Sequence, residues 1–169
     1  MRDPHLYPVF SVRSLLLLVV AMIPSLLVSA TGSVLTAPAL LNWYPTLQKP
    51  FFTPPNVAFP LVWTFLYALM AMSFWRILRA RPEAGPKTAA IVIFLIQMAI
   101  NVAWSWAFFS RRSPYGGLVV IGILIVAIVL TMREFRKIDR PAAYALTPYL
   151  AWTVFAAALN AAIALKNPG

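Results

Sequence analysis

The chain has no cysteine, a single histidine and only four acidic residues in 169 positions. Each scarcity removes a class of chemistry. Without cysteine there are no disulfides and no thiolate metal sites. The one histidine, His5, sits in the N-terminal tail, where metal ligation is not expected. No Ser-His-acid arrangement can be assembled, and nothing resembles a glycine loop that cradles phosphates. The acids Asp3, Glu83, Glu134 and Asp139 all lie outside the apolar segments. A proton relay or ion-coupled carrier would need a carboxylate within the membrane. An ordinary hydrolase, a kinase and such a carrier are therefore set aside, and no metal or catalytic residue is assigned.

What is present is apolar. Hydrophobic residues make up 62% of the chain and charged ones 11%, with a mean hydropathy of +0.81. That composition belongs to polytopic membrane proteins. Five segments reach spanning length, near 14–35, 58–78, 88–110, 115–132 and 142–165. Backbone groups in lipid must be satisfied internally, so the spans are expected to be helices. The reading is an all-α, five-helix membrane bundle forming one domain over residues 1–169. The net charge of +10 does not imply nucleic acid, because the basic residues punctuate the apolar segments rather than lining one face.

Those basic residues also orient the chain. Arg2, Arg13, Arg76, Arg79, Arg81, Lys87, Arg133, Arg136, Lys137 and Arg140 fall on one side, against Lys49, Arg111, Arg112 and Lys166 on the other. The excess favours a cytoplasmic N-terminus and an exterior C-terminus. The first segment has a rival reading, since Arg13, a Leu/Val run and Val28-Ser29-Ala30 resemble a cleavable signal. Apolar residues continue past Ala30 to Leu35, which favours a retained helix. Ala21, Ser25, Ser29 and Ser33 form a ladder of small residues at i, i+4 spacing. Such a ladder, with the alanine-rich fifth span, suits close helix packing and a homodimer.

The stretch 43–67, WYPTLQKPFFTPPNVAFPLVWTFLY, is the most distinctive. Pro45, Pro50, Pro54, Pro55 and Pro60 forbid a continuous helix through its first half. A stiff aromatic loop over 36–57 is expected to cover the mouth of a pocket, with Trp43, Tyr44 and Pro50 as lid. Polar and aromatic rows then mark the spans: Trp63 and Tyr67 on the second, Gln97, Asn101, Trp104 and Phe108 on the third, Trp152, Ala156 and Asn160 on the fifth. Converging, these rows would line an apolar cavity with a few orienting amides. The same residues admit a plainer reading. Intramembrane amides such as Gln97 hydrogen-bond helices together, and Trp and Tyr at span ends anchor at the interface.

Three motifs in order, WYPTLQKPFFTPPNVAFPLVWTFLYALM, QMAINVAWSWAFF and TPYLAWTVFAAALN, closely resemble the tryptophan-rich sensory protein and translocator protein family, over residues 20–165. The resemblance implies five retained helices and a pocket under the first loop. It implies no obligatory cofactor and a tetrapyrrole ligand, protoporphyrin IX or haem, held for transport, sequestration or sensing. Eukaryotic members also bind cholesterol and benzodiazepine-type ligands. Carried over, Trp63, Asn101, Trp152, Ala156 and Asn160 would line the pocket, with Trp104 a further wall. Light- or oxygen-dependent breakdown of the porphyrin is the alternative activity it implies, and a ligand-regulated dimeric scaffold working through helix contacts is a third reading. Two departures stand out. Phe51-Phe52 occupies the lid where many bacterial members carry tryptophan, and no tyrosine follows Leu159-Asn160, which lowers sterol as a ligand and favours a bacterial cell-membrane member.

Overall fold

The computed structural model describes residues 6–168. Arg2, Asp3 and His5, weighed above for charge and metal ligation, lie outside these. Five helical stretches are long and apolar enough to cross a membrane. The first is α1, Val12–Asn42, capped where Ser11 Oγ accepts the Ser14 N–H at 3.1 Å. It is longer than the 14–35 expected. Pro38 lies inside it, and the helix runs on through Thr36 to Asn42, so the loop assigned to 36–57 begins only at Trp43. A 3₁₀ turn at Tyr44–Thr46 opens that loop.

Helix α2 covers Ala58–Arg79, and α3 covers Thr88–Ser105. A π-helical turn, Trp106–Ser110, extends α3, and the Arg111 N–H reaches back five residues to the Trp106 carbonyl at 2.9 Å. Helix α4, Pro114–Ile138, begins with Pro114 in its first turn and Ser113 as its cap. The last span is two pieces: α5, Arg140–Ala145, and α6, Thr147–Lys166, separated at Leu146 just before Pro148.

Helix α1 packs on α2 and on α3 with its π turn, and the ring continues from α3 to α4 and from α4 to α6. The short α5 closes it against α2 and α4. A stack of rings ties the centre: Phe74 lies 4.2 Å from Phe94, and Phe94 5.7 Å from Phe135, joining α2, α3 and α4. Ser73 Oγ donates to the Ala142 carbonyl at 2.7 Å across α2 and α5. The Trp75 indole donates to the Ser14 carbonyl at 2.8 Å, fixing α1 to α2 at the same end. Outward, apolar side chains such as Leu15, Leu27, Val119 and Val126 stay exposed, as a lipid-facing surface requires. The α1 ladder faces inward instead: Ala21 and Ser25 are buried, and Ser29 and Ser33 open onto a cavity.

Candidate functional site

The cavity exists because two kinds of wall meet. From α1 come Ser29, Gly32, Ser33, Thr36 and Ala37, none of which reaches far from its backbone. Opposite stand Phe59, Trp63 and Tyr67 of α2 and Trp104 and Phe109 of α3 and its π turn. Large rings against small side chains leave about 420 Å³ unfilled, within the roughly 300–1,000 Å³ of small-molecule sites. Tyr44 and Asn56 of the connecting loop close one end. Among the described residues no charged side chain lines it.

Helical spacing and the π turn together compose the aromatic wall. Trp63 and Tyr67, one turn apart on α2, stack at 5.4 Å with 29° between planes. Trp104 continues the surface, 6.4 Å from Trp63 and tilted by 31°. The extra residue of the π turn lets both Phe108 and Phe109 touch Trp104, each at 5.9 Å. Phe109 then reaches the cavity, while Phe108 is buried against Trp43 and Tyr44.

Polar contacts behind the wall fix its rings. Tyr67 donates its hydroxyl proton to Asn101 Oδ1 at 3.4 Å, and Asn101 Nδ2 donates to the Tyr149 hydroxyl at 2.9 Å. The Trp104 indole donates to Asn160 Oδ1 at 3.4 Å, and Asn160 Nδ2 donates to the Pro114 carbonyl at 2.7 Å. Gly117 makes room for that anchor, since a Cβ there would sit 2.8 Å from both Asn160 Oδ1 and Phe108.

Of the residues singled out from sequence, Tyr44, Trp63, Tyr67 and Trp104 line the cavity. Asn101 lies directly beneath it. Asn160 is buried behind Trp104 rather than in the wall, Ala156 is buried outside the lining, and Trp152 packs edge-on to Phe59 at 6.0 Å, also outside it. Gln97 is buried with neither amide atom hydrogen-bonded among the described residues, so it neither bridges helices nor reaches the cavity. Trp43 packs against Phe108 at 5.6 Å, and Pro50 is buried in a turn closed by the Thr53 N–H. These two hold the loop rather than touch the space beneath it.

The loop is clasped to the far end of the chain. Gln48 N–H donates to Asn167 Oδ1 at 3.0 Å, and Asn167 Nδ2 returns to the Gln48 carbonyl at 3.1 Å. Lys49 Nζ lies 4.8 Å over the Tyr44 ring and donates to the Pro45 and Leu47 carbonyls. Burial pushes the Tyr44 phenol above its ordinary range, so it remains neutral beside the ammonium. Phe51 is fully exposed at the loop tip, and Phe52 meets Phe155, so neither borders the cavity. The whole α1 wall went unassigned in the sequence, although the ladder of small residues was its signal.

The chain is similar in sequence to several known proteins. The TspO/MBR family model matches residues 17–165. The tryptophan-rich protein TspO of Chlorobaculum tepidum is 39% identical over 85% of this chain and 90% of its own. The tryptophan-rich protein TspO of Archaeoglobus fulgidus is 36% identical over 91% and 99%, respectively. The translocator protein of Ovis aries is 34% identical over 76% of each. This integral membrane protein belongs to the TspO/MBR family.

Proposed function

We propose that the protein binds a flat tetrapyrrole, protoporphyrin IX or haem, in the cavity between α1 and the Trp63–Trp104 wall, for transport, sequestration or sensing. One observation carries this reading: a nearly continuous aromatic face set against a wall of small residues. A planar ligand gains most from such a slot, because ring stacking adds to apolar burial. Its acidic groups would sit at the loop end near Lys49, which lies over the lining residue Tyr44, since the lining itself is uncharged. The same slot would accept benzodiazepine-type aromatic ligands. In this reading the loop faces the exterior of a bacterial cell membrane. Titration with protoporphyrin IX should quench tryptophan fluorescence saturably, and Trp63→Ala should weaken binding by about tenfold, the loss of one central aromatic contact. Undiminished affinity in Trp63→Ala and in Trp104→Ala would remove the assignment.

A second reading, light-dependent oxidation of the bound porphyrin, is favoured by two indoles standing in the wall itself. The Phe51-Phe52 pair does not weigh against it, because neither ring borders the cavity. Illumination of the complex in air should then give a new product spectrum that is lost in Trp63→Phe and Trp104→Phe. Unchanged porphyrin after illumination leaves binding alone.

A further inference from the structure

The cavity has a polar inner end, where Gly32 of α1 faces α2 and α3. A Cβ at Gly32 would lie 3.7 Å from Ser105 Oγ and 4.0 Å from the Tyr67 hydroxyl. Hydroxyls from two helices thus converge on one small gap that opens into the cavity. We propose that this gap is a subsite for a neutral ligand group with adjacent hydrogen-bond donor and acceptor, of the amide or lactam type. The inference rests on the reading of the cavity as a ligand site.

The two hydroxyls are not equivalent. Tyr67 directs its proton to Asn101 Oδ1, whose own amide is turned to Tyr149. A carbonyl oxygen can only accept, so the Tyr67 oxygen offers the cavity lone pairs alone. Ser105 Oγ has no hydrogen-bond partner among the described residues, and its proton is free to be donated. An acceptor beside a donor matches the edge of a cis-amide: ligand N–H to Tyr67, ligand C=O from Ser105. A carboxylate fails twice, lacking a proton for Tyr67 and meeting no cationic side chain at this end. Burying it unpaired costs more than one hydrogen bond returns. An apolar edge leaves the Ser105 hydroxyl unpaired and the free lone pairs of Tyr67 unused. The subsite therefore sets orientation, with a neutral polar edge inward and charged groups outward toward Lys49.

Three bicyclic probes of like shape test this: 2-quinolinone with its lactam edge, naphthalene, and 2-naphthoate. Dissociation constants would be read from the indole N–H shifts of Trp63 and Trp104 in the full-length protein, corrected for partition into protein-free micelles. 2-Quinolinone should bind about tenfold tighter than naphthalene, the net worth of one to two hydrogen bonds, and 2-naphthoate weakest. Gly32→Ala fills the gap while meeting only ordinary contacts, so the fold is retained. In Gly32→Ala, Ser105→Ala and Tyr67→Phe proteins the lactam preference should fall to about twofold or less. Equal affinity for 2-quinolinone and naphthalene in the unaltered protein, or a preference that survives in Gly32→Ala, would overturn the subsite. Protoporphyrin IX titration of the same samples separates the two claims. Intact porphyrin binding without lactam preference overturns the subsite alone, and loss of all binding overturns the cavity reading as well.

Discussion

Asn101 joins two tyrosines from different helices, accepting from Tyr67 at 3.4 Å and donating to Tyr149 at 2.9 Å. All three residues sit where water does not reach freely, and Asn101 and Tyr149 are fully buried. Removing the amide strands two phenol hydroxyls. Asn101→Ala should therefore destabilise the protein by about 1–3 kcal/mol, the cost of orphaned polar groups. Thermal unfolding in detergent checks this, and Asn101→Asp should restore little because it cannot donate to Tyr149 when ionised. An unchanged melting temperature in Asn101→Ala would show that the amide is not structural.

Two ion pairs among the described residues should differ sharply in worth. Arg76 Nε meets Asp139 Oδ2 at 2.7 Å with the aspartate side chain only 7% exposed, linking α2 to the α4–α5 junction. Lys137 meets Glu134 at 2.6 Å one turn away on the same helix, with the lysine 59% exposed. Asp139→Ala removes two charge-assisted hydrogen bonds between α2 and the α4–α5 junction and should cost about 1–3 kcal/mol. Glu134→Ala should cost about 0.5 kcal/mol or less. Equal melting shifts in the two variants would contradict this ranking.

Lys87 gives a pH signature. Its Nζ donates to the Leu78 and Ala80 carbonyls at the C-terminal end of α2, and partial burial, with Arg13 nearby, lowers its pKa below the ordinary 10.5. Below the folded-state pKa both states hold the proton, and the penalty for charging Lys87 is fully present. As pH rises through that value toward about 10.5, the unfolded chain holds more protons and stability increases. The melting temperature of the parent relative to Lys87→Met should climb over that window. A constant difference would show that Lys87 titrates alike in both states.

Orientation is open to a clean chemical test, because the chain contains no cysteine. Phe51→Cys places a thiol at the exposed loop tip. A membrane-impermeant maleimide applied to intact cells should label it, while Arg136→Cys on the opposite side should label only after lysis. The reverse pattern would invert the assigned topology.

The spans were legible because apolar length is a one-dimensional property. Their ends were not. The first span was expected to end near residue 35, yet α1 carries on through Pro38 to Asn42, since the backbone groups a proline frees within a membrane helix can be satisfied locally. The π turn at Trp106 is a one-residue insertion with no compositional mark, and it decides that Phe109 rather than Phe108 reaches the cavity. Ring-bearing rows were visible at i, i+4 spacing, which located Trp63, Tyr67 and Trp104. Spacing does not give the rotation of a helix about its axis, so Trp152 was placed in the wall though it stands behind Phe59. Ser29 and Ser33 were read as packing residues because small side chains serve equally to admit a neighbouring helix or a ligand. Only the aromatic partners opposite decide which.

The central claim is that ligand lies between the small face of α1 and the Trp63–Trp104 wall. Ser33→Phe would fill that space from the α1 side, whereas Trp106→Phe alters a half-exposed tryptophan outside it. The dissociation constant of protoporphyrin IX for these two proteins, beside the parent, is the most direct measurement. Ser33→Phe should weaken binding by about tenfold or more, and Trp106→Phe by about twofold or less. Full affinity in Ser33→Phe, with the fold intact by thermal unfolding, would contradict the claim.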